Sequence, residues 1–267
     1  MTKTSPPREK SGLAVLRPDD VFRFECHSGL DCFTRCCRDI TIFLTPYDIL
    51  RMKNALRISS GEFLSQYTLS LIGDLGLPVV VLKMGADEEK SCPFLESGGC
   101  RLYPDRPWAC RVYPLQPERT RLTEKAGKSF YSAMDVPFCR GLQSNRSQSV
   151  SEWIEEQGIP EYLKMEAAFK KITDNERLGQ ERITNPKIRE MVYMACYDLD
   201  RFRRFVLEST FLERFEVSPA TAEAVKTDDV ALYGLAIQWL EYGLLAQQVL
   251  EVRPDVMAAK KQQMGVE

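Results

Sequence analysis

The apolar positions divide the chain into two regimes. From residue 21 to about residue 142 they come in short runs broken by proline, glycine and cysteine, and beyond residue 143 they recur at helical spacing. In the first regime the runs at 40–44 and 78–84 predict strands. So does 127–134, which pairs in our reading with 119–123 as a hairpin. Thr45-Pro46-Tyr47-Asp48 combines an N-cap, a proline at the first helical position and an acid in the first turn. It predicts a helix carrying Ile49, Leu50, Met52 and Leu56. Ser59-Ser60-Gly61-Glu62 has capping-box spacing and predicts a shorter helix through Tyr67.

The second regime reads as helices throughout. Ser149-Val150-Ser151-Glu152 opens one that Gly158 can close, and 161–172 forms another. Asn185-Pro186 starts a single long helix, with Ile188, Met191, Val192, Ala195, Leu199, Phe202 and Val206 on one stripe. Ser218-Pro219 repeats that start signal, and 230–249 is the most apolar helix, stopped by Pro254. The predicted fold class is α+β. An irregular cysteine-rich metal-binding module with short strands and helices occupies 19–145, and an all-helical module occupies 146–253. Flexible tails at 1–18 and 254–267 flank them.

Composition narrows the function classes. The 267 residues carry 36 Lys+Arg against 38 Asp+Glu, a formal charge of −2, so the basic face that nucleic acid requires is not expected. No apolar stretch approaches the ~18 residues of a membrane span. Residues 1–10 are polar and lack the apolar core of a signal peptide, which predicts a cytoplasmic protein. In that compartment thiols stay reduced, so clustered cysteines point to metal or redox chemistry before disulfides. His27, the single histidine, excludes zinc sites built from several imidazoles and leaves little for Ser-His-Asp or Cys-His catalysis.

Eight of the nine cysteines fall between residues 26 and 139: Cys26, Cys32, Cys36, Cys37, Cys92, Cys100, Cys110 and Cys139. All eight are candidate metal ligands. Zinc takes four soft donors at the corners of a tetrahedron, and iron–sulfur clusters also use four cysteines. Eight thiolates therefore suffice for two sites, or for one site with four left over. Cys32 and Cys36 stand four apart, the spacing of one helical face. Asp105 and Pro107 mark the entry to a helical turn that puts Cys110 near its positive end, which favours thiolate. Arg35, Arg38, Arg101, Arg106, Arg111 and Arg140 flank the thiols and are expected to offset the negative charge of a tetrathiolate site. Tyr103, Trp108 and Tyr113 are expected to pack around the site. Cys196 lies on the helical stripe and reads as a small core hydrophobe. Asp228-Asp229 and Glu155-Glu156 read as helix-start and surface charges.

The run Cys32-Phe33-Thr34-Arg35-Cys36-Cys37, followed by Cys92-Pro93-Phe94-Leu95, Cys100 and Arg106-Pro107-Trp108-Ala109-Cys110-Arg111, resembles the YkgJ-type cysteine-cluster family. The resemblance covers residues 22–142. Where that family often has Cys-Gly-x-Cys-Cys, three residues here separate Cys32 from Cys36. The resemblance implies zinc or iron chelation, with an iron–sulfur cluster as one form. Through the similar flagellin lysine N-methylases it also implies an alternative as an iron–sulfur-dependent protein lysine N-methylase. A third reading is an interaction module stapled by metal, whose helices meet a protein partner. The leading expectation is a metal-binding protein.

Overall fold

The computed structural model describes residues 15–118, 130–175, 178 and 182–256. The fold is α+β, with short strands and nearly all the cysteines in the first half and helices filling the second. Val15–Leu16 (β1), Val21–Arg23 (β2) and Phe43–Leu44 (β3) lead into helices Pro46–Leu56 (α1) and Ser60–Tyr67 (α2). Thr68–Ile72 (β4), Pro78–Leu82 (β5), Leu95–Glu96 (β6), Gly99–Cys100 (β7) and the short helix Trp108–Val112 (α3) follow. Leu115–Glu118 (β8), Phe130–Ala133 (β9) and Ser147–Ser149 (β10) complete the strands. The helices Val150–Glu156 (α4), Ile159–Thr173 (α5), Pro186–Cys196 (α6), Leu199–Glu208 (α7), Phe211–Arg214 (α8), Pro219–Ala224 (α9) and Asp229–Leu245 (α10) make up the rest. The strands pair antiparallel in the orders β1-β9-β8, β10-β2, β3-β5-β4 and β6-β7.

The capping signals act where the sequence places them. The Thr45 hydroxyl accepts from the Asp48 amide at 3.1 Å, and Asp48 accepts in return from the Thr45 amide at 2.7 Å. Ser59 caps α2, Ser149 and Glu152 form a second reciprocal box, and Asn185 and Ser218 cap α6 and α9 ahead of their prolines. Such caps satisfy amides that the first helical turn leaves without partners.

Several boundaries differ from expectation. Val15 and Leu16, read as tail, pair with Ser132 and Tyr131; residues 1–14 lie outside the described residues. The strand expected over 40–44 is regular only at Phe43–Leu44. Phe130–Ala133 pairs with Leu115–Glu118, while the expected partner at 119–123 lies outside the described residues. The long helix from Pro186 is two helices. Asp198 stops the first by capping the second, accepting from the Arg201 amide, so the apolar stripe survives while the axis breaks. Helix α10 ends at Leu245, where Ala246 turns left-handed at φ 53°, well before Pro254. This lets the chain fold back: Leu250 is buried and Val252 bridges to Phe215. Of the carboxyl-terminal tail, residues 257–267 lie outside the described residues.

Two cores hold these elements. The larger runs from Ile42 to Leu250 and packs Met52, Phe63, Val80 and Phe94 with Phe202, Leu232, Ala236 and Leu240. The smaller holds Phe22, Phe24, Val112, Leu115, Tyr131, Cys139, Val150, Trp153 and Ile159. Within the larger one, Lys53 is buried and reaches Asp229 at 2.9 Å and Asp200 at 3.6 Å, and Arg203 pairs with the same two carboxylates. Asp229 is thus a largely buried ion-pair partner rather than a surface charge. Asp228 does cap α10, and Glu156 pairs with Arg146 at the surface.

Cys196 sits fully buried in the larger core, where burial alone pushes its thiol up. It packs as the small hydrophobe the stripe predicts. Cys196→Ser is expected to leave metal content unchanged and to cost about 1–3 kcal/mol, the penalty for a buried hydroxyl without a partner. Metal analysis beside a urea melt of the variant checks both parts.

Candidate metal centre

The loops that carry the eight cysteines are shaped by backbone hydrogen bonds. Past β2 the chain continues beside residues 140–146: the Phe24 amide donates to Arg146 O at 3.1 Å and the Glu25 amide to Gly141 O at 3.2 Å. Gly141 permits that approach, because a Cβ there would lie 2.5 Å from Glu25 O. Cys26 is thereby set against the Arg140–Gln143 turn, which follows directly on Cys139. The Arg140 amide then donates to Cys32 Sγ at 3.2 Å. Residues 27–37 coil through successive turns, His27 O to Leu30, Leu30 O to Phe33, Cys32 O to Arg35 and Thr34 O to Cys37. The extra residue between Cys32 and Cys36 is absorbed by Thr34, which adopts φ 64° just before the 3-10 turn Arg35–Cys37. His27 is exposed, and its Nδ1 accepts from the Gly29 amide.

A second set of contacts begins at Cys37. The Cys92 amide donates to Cys37 O at 2.8 Å, the Asp39 amide donates to Lys90 O at 3.2 Å, and Arg38 bridges to Ser91. The Leu95 amide donates to Cys92 O at 3.0 Å, and Leu95 faces Cys100 across the β6–β7 hairpin. Gly99 makes this hairpin with φ 118°, a conformation closed to side-chain-bearing residues, and its α-carbon faces the Phe33 ring. Cys110 lies in α3, whose first amide, on Trp108, donates to Asp48 Oδ1 at 2.7 Å. Asp48 is fully buried and so joins the start of α1 to the start of α3. Capping spacing signals its first role, whereas nothing near Asp48 in sequence signals the second.

Electrostatics at the thiols follows burial first. It pushes Cys110 up to about 12, with the charges of Cys92 and Cys100 adding to the effect. The expectation that a helix start would favour thiolate at Cys110 is therefore reversed. A five-residue helix contributes little dipole, and desolvation of the charged form outweighs it. Burial also raises Cys92 and Cys100, the latter opposed by Arg106 and Arg101. Cys26 is the most exposed of the eight, yet what burial it has, with the charges of Cys36, Cys32 and Cys139, pushes it up to about 11. Cys36 differs. A hydrogen bond from the Cys37 thiol holds it down at about 7, with help from Arg38, and raises Cys37 correspondingly.

The flanking arginines divide by use. Arg106 and Arg111 are buried and serve as struts. Arg106 stacks on the Tyr103 ring and bonds Tyr103 O and the Gln157 side chain. Arg111 bonds Arg106 O, Pro104 O and Gln157 O over the Tyr162 ring. Arg35 lies over the Phe138 ring, Arg101 over Phe94, and Arg38 binds Glu89 and Thr34 O. Arg140 contributes its backbone amide. Trp108 packs with both cores, and Tyr113 lies against the smaller one and beside Cys139. Tyr103 is exposed, with Arg106 over its ring.

The donor set is eight soft sulfurs, all as free thiols, with no nitrogen ligand in the cluster. Residues 25–139 match the family model described as "CxxCxxCC: Putative zinc- or iron-chelating domain". The cysteine loops are thus similar to a domain described as zinc- or iron-chelating. No curated protein and no solved structure matches the chain. Thiol chemistry fits either metal. Among the described residues, no three His, Cys, Asp or Glu side chains are drawn in to the spacing of a closed coordination sphere. Neutral thiols have no electrostatic reason to converge; a cation that displaces their protons supplies one. No helix among the described residues is long and apolar enough to cross a membrane.

Proposed function

We propose that this protein binds zinc or iron through the thiolates of Cys26, Cys32, Cys36, Cys37, Cys92, Cys100, Cys110 and Cys139, and that the metal holds its cysteine-rich loops in place. The observation that carries this reading is the pairing of loops distant in sequence. The Cys92 amide is hydrogen-bonded to Cys37 O, and the Arg140 amide, 108 residues away in sequence, to Cys32 Sγ, so cysteine loops far apart in the chain become neighbours. Metal analysis of anaerobically purified protein tests it. Stoichiometric zinc in a colourless protein, or a brown protein whose charge-transfer absorption bleaches in air, distinguishes zinc from an iron–sulfur centre. Absence of bound metal, with none taken up from solution, would remove the reading.

The raised thiols set a pH dependence. A thiol held above neutrality keeps its proton in the metal-free protein and must release it to coordinate, so affinity rises with pH. Cys26, near 11, and Cys110, near 12, remain protonated at pH 7, whereas the hydrogen bond from the Cys37 thiol favours the ionised form of Cys36. Zinc added to weakly buffered metal-free protein is expected to release several protons per chain at pH 7. Apparent affinity should fall steeply between pH 8 and pH 6. Potentiometric titration alongside a competition assay reads both.

A further inference from the structure

We infer that the eight thiols form two separate four-cysteine sites: an outer one of Cys26, Cys32, Cys36 and Cys139, and an inner one of Cys37, Cys92, Cys100 and Cys110. Each takes one metal ion, and they meet at the Cys36–Cys37 peptide. The inference rests on the metal-binding reading above and adds the number of ions, the ligands of each and their unequal hold.

The hydrogen bonds sort the thiols without reference to charge. One set ties together the loops of Cys26, Cys32 and Cys139: Glu25 to Gly141, and Arg140 to Cys32 Sγ. The other ties together Cys37, Cys92 and Cys100: Cys92 to Cys37 O, Leu95 to Cys92 O, and Leu95 opposite Cys100. Cys36 and Cys37 are consecutive in a 3-10 turn and their thiols are hydrogen-bonded to each other, so the two sets of loops meet at this pair. Cys37 goes with the loop of Cys92, whose amide bonds its carbonyl, which leaves Cys36 to the outer set.

Packing gives the same division. Cys92, Cys100 and Cys110 lie against the larger core, whereas Cys139 is a member of the smaller one. Mutual influence among the thiols agrees. Cys26 feels Cys36, Cys32 and Cys139, while Cys110 feels Cys92 and Cys100, and Cys37 feels Cys92 and Cys110. Cys36, at the seam, is also felt by the inner Cys37 and Cys110. Four thiolates around one divalent ion leave net charge −2, and each site has cationic help: Arg38 acts on Cys36, and Arg101 and Arg106 act on Cys100.

The two sites are unequal in access. Cys26 is exposed, while Cys110, in α3, packs against the larger core. The outer ion should exchange with solvent and chelators, and the inner one should resist them.

The test uses the full chain reconstituted with zinc and challenged with a chromophoric chelator. Two zinc ions per chain are expected, released in two phases of equal amplitude whose rates differ at least tenfold. Cys26→Ser should remove or accelerate only the fast phase. Cys92→Ser should lose the slow one and keep the fast one. One zinc per chain, two ions leaving in a single phase, or loss of both ions from Cys26→Ser with its far-UV circular dichroism unchanged would overturn the partition while leaving metal binding intact. A single four-iron cluster on the chain would overturn it equally. Failure to take up zinc, cobalt or iron at all would overturn both inference and reading.

Discussion

Chelating the metal from the loaded protein is expected to abolish amide protection across residues 22–37, 112–118 and 130–142, while α10 (Asp229–Leu245), α6, α7 and also α1 and α2 stay protected. These stretches supply Phe22, Phe24, Val112, Leu115, Tyr131 and Cys139 to the smaller core, which holds nine buried residues, one of them the candidate ligand Cys139. Structural zinc can supply apparent binding energies of ~10–16 kcal/mol in small peptides, enough to decide whether so small a core forms. Helices α1 and α2 lie early in the chain but pack in the larger core with α7 and α10 through Met52, Phe63, Phe202 and Leu232. They should therefore follow the helices and not the cysteine loops. Hydrogen exchange resolved by segment checks this. Equal loss in both cores would mean that they fold as one cooperative unit, and unchanged protection around Cys139 would mean that the metal does not hold these loops.

The second large effect is expected at Asp48. Its carboxylate closes the cap of α1, accepting from the Thr45 amide and hydroxyl, and with its other oxygen accepts from the Trp108 amide. Asp48→Ala loses the cap, worth about 1 kcal/mol, and strands the Trp108 amide in a buried place, about 1–3 kcal/mol more. A loss of roughly 2–4 kcal/mol should lower the melting midpoint by about 5–15 °C in a chain of this size. Metal affinity should drop as well, since α3 carries Cys110. Asp48→Asn keeps one accepting oxygen and should fall between the two. Burial pushes the Asp48 carboxyl up to about 6, above its usual value, so the folded state holds this proton more tightly than the unfolded chain does. That contribution is complete below about pH 4 and is lost as pH rises through 6. The stability gap between wild type and Asp48→Asn should shift by that amount over the same window, read from denaturant melts at stepped pH. An unchanged gap would show that Asp48 does not titrate there.

Much of the local structure was legible along the chain because its causes are local. Thr45 with Asp48, Ser149 with Glu152, Asn185 with Pro186 and Ser218 with Pro219 each start a helix through side chains a few residues from the amides they satisfy. The apolar stripe put Cys196 in the core, and the crowding of eight cysteines between residues 26 and 139 pointed to the same chemistry that the matching family model describes. The spacing of those cysteines left open one site or two. Contacts across the fold decided what the spacing could not: Asp198 breaking the long helix as a cap, and Cys92 meeting Cys37 through residues 37–39 pairing with 90–92. Arg106 and Arg111 belong to the same class. Near Cys110 in sequence they read as partners for its charge, and Arg106 does feel Cys110 and Cys100, but their hydrogen bonds go to Tyr103, Pro104 and Gln157, the last 46 and 51 residues away and within reach only after folding. Desolvation was equally invisible beforehand. Whether a thiol at a helix start ionises depends on what is packed around it, and at Cys110 that is the edge of a core assembled from both halves of the chain.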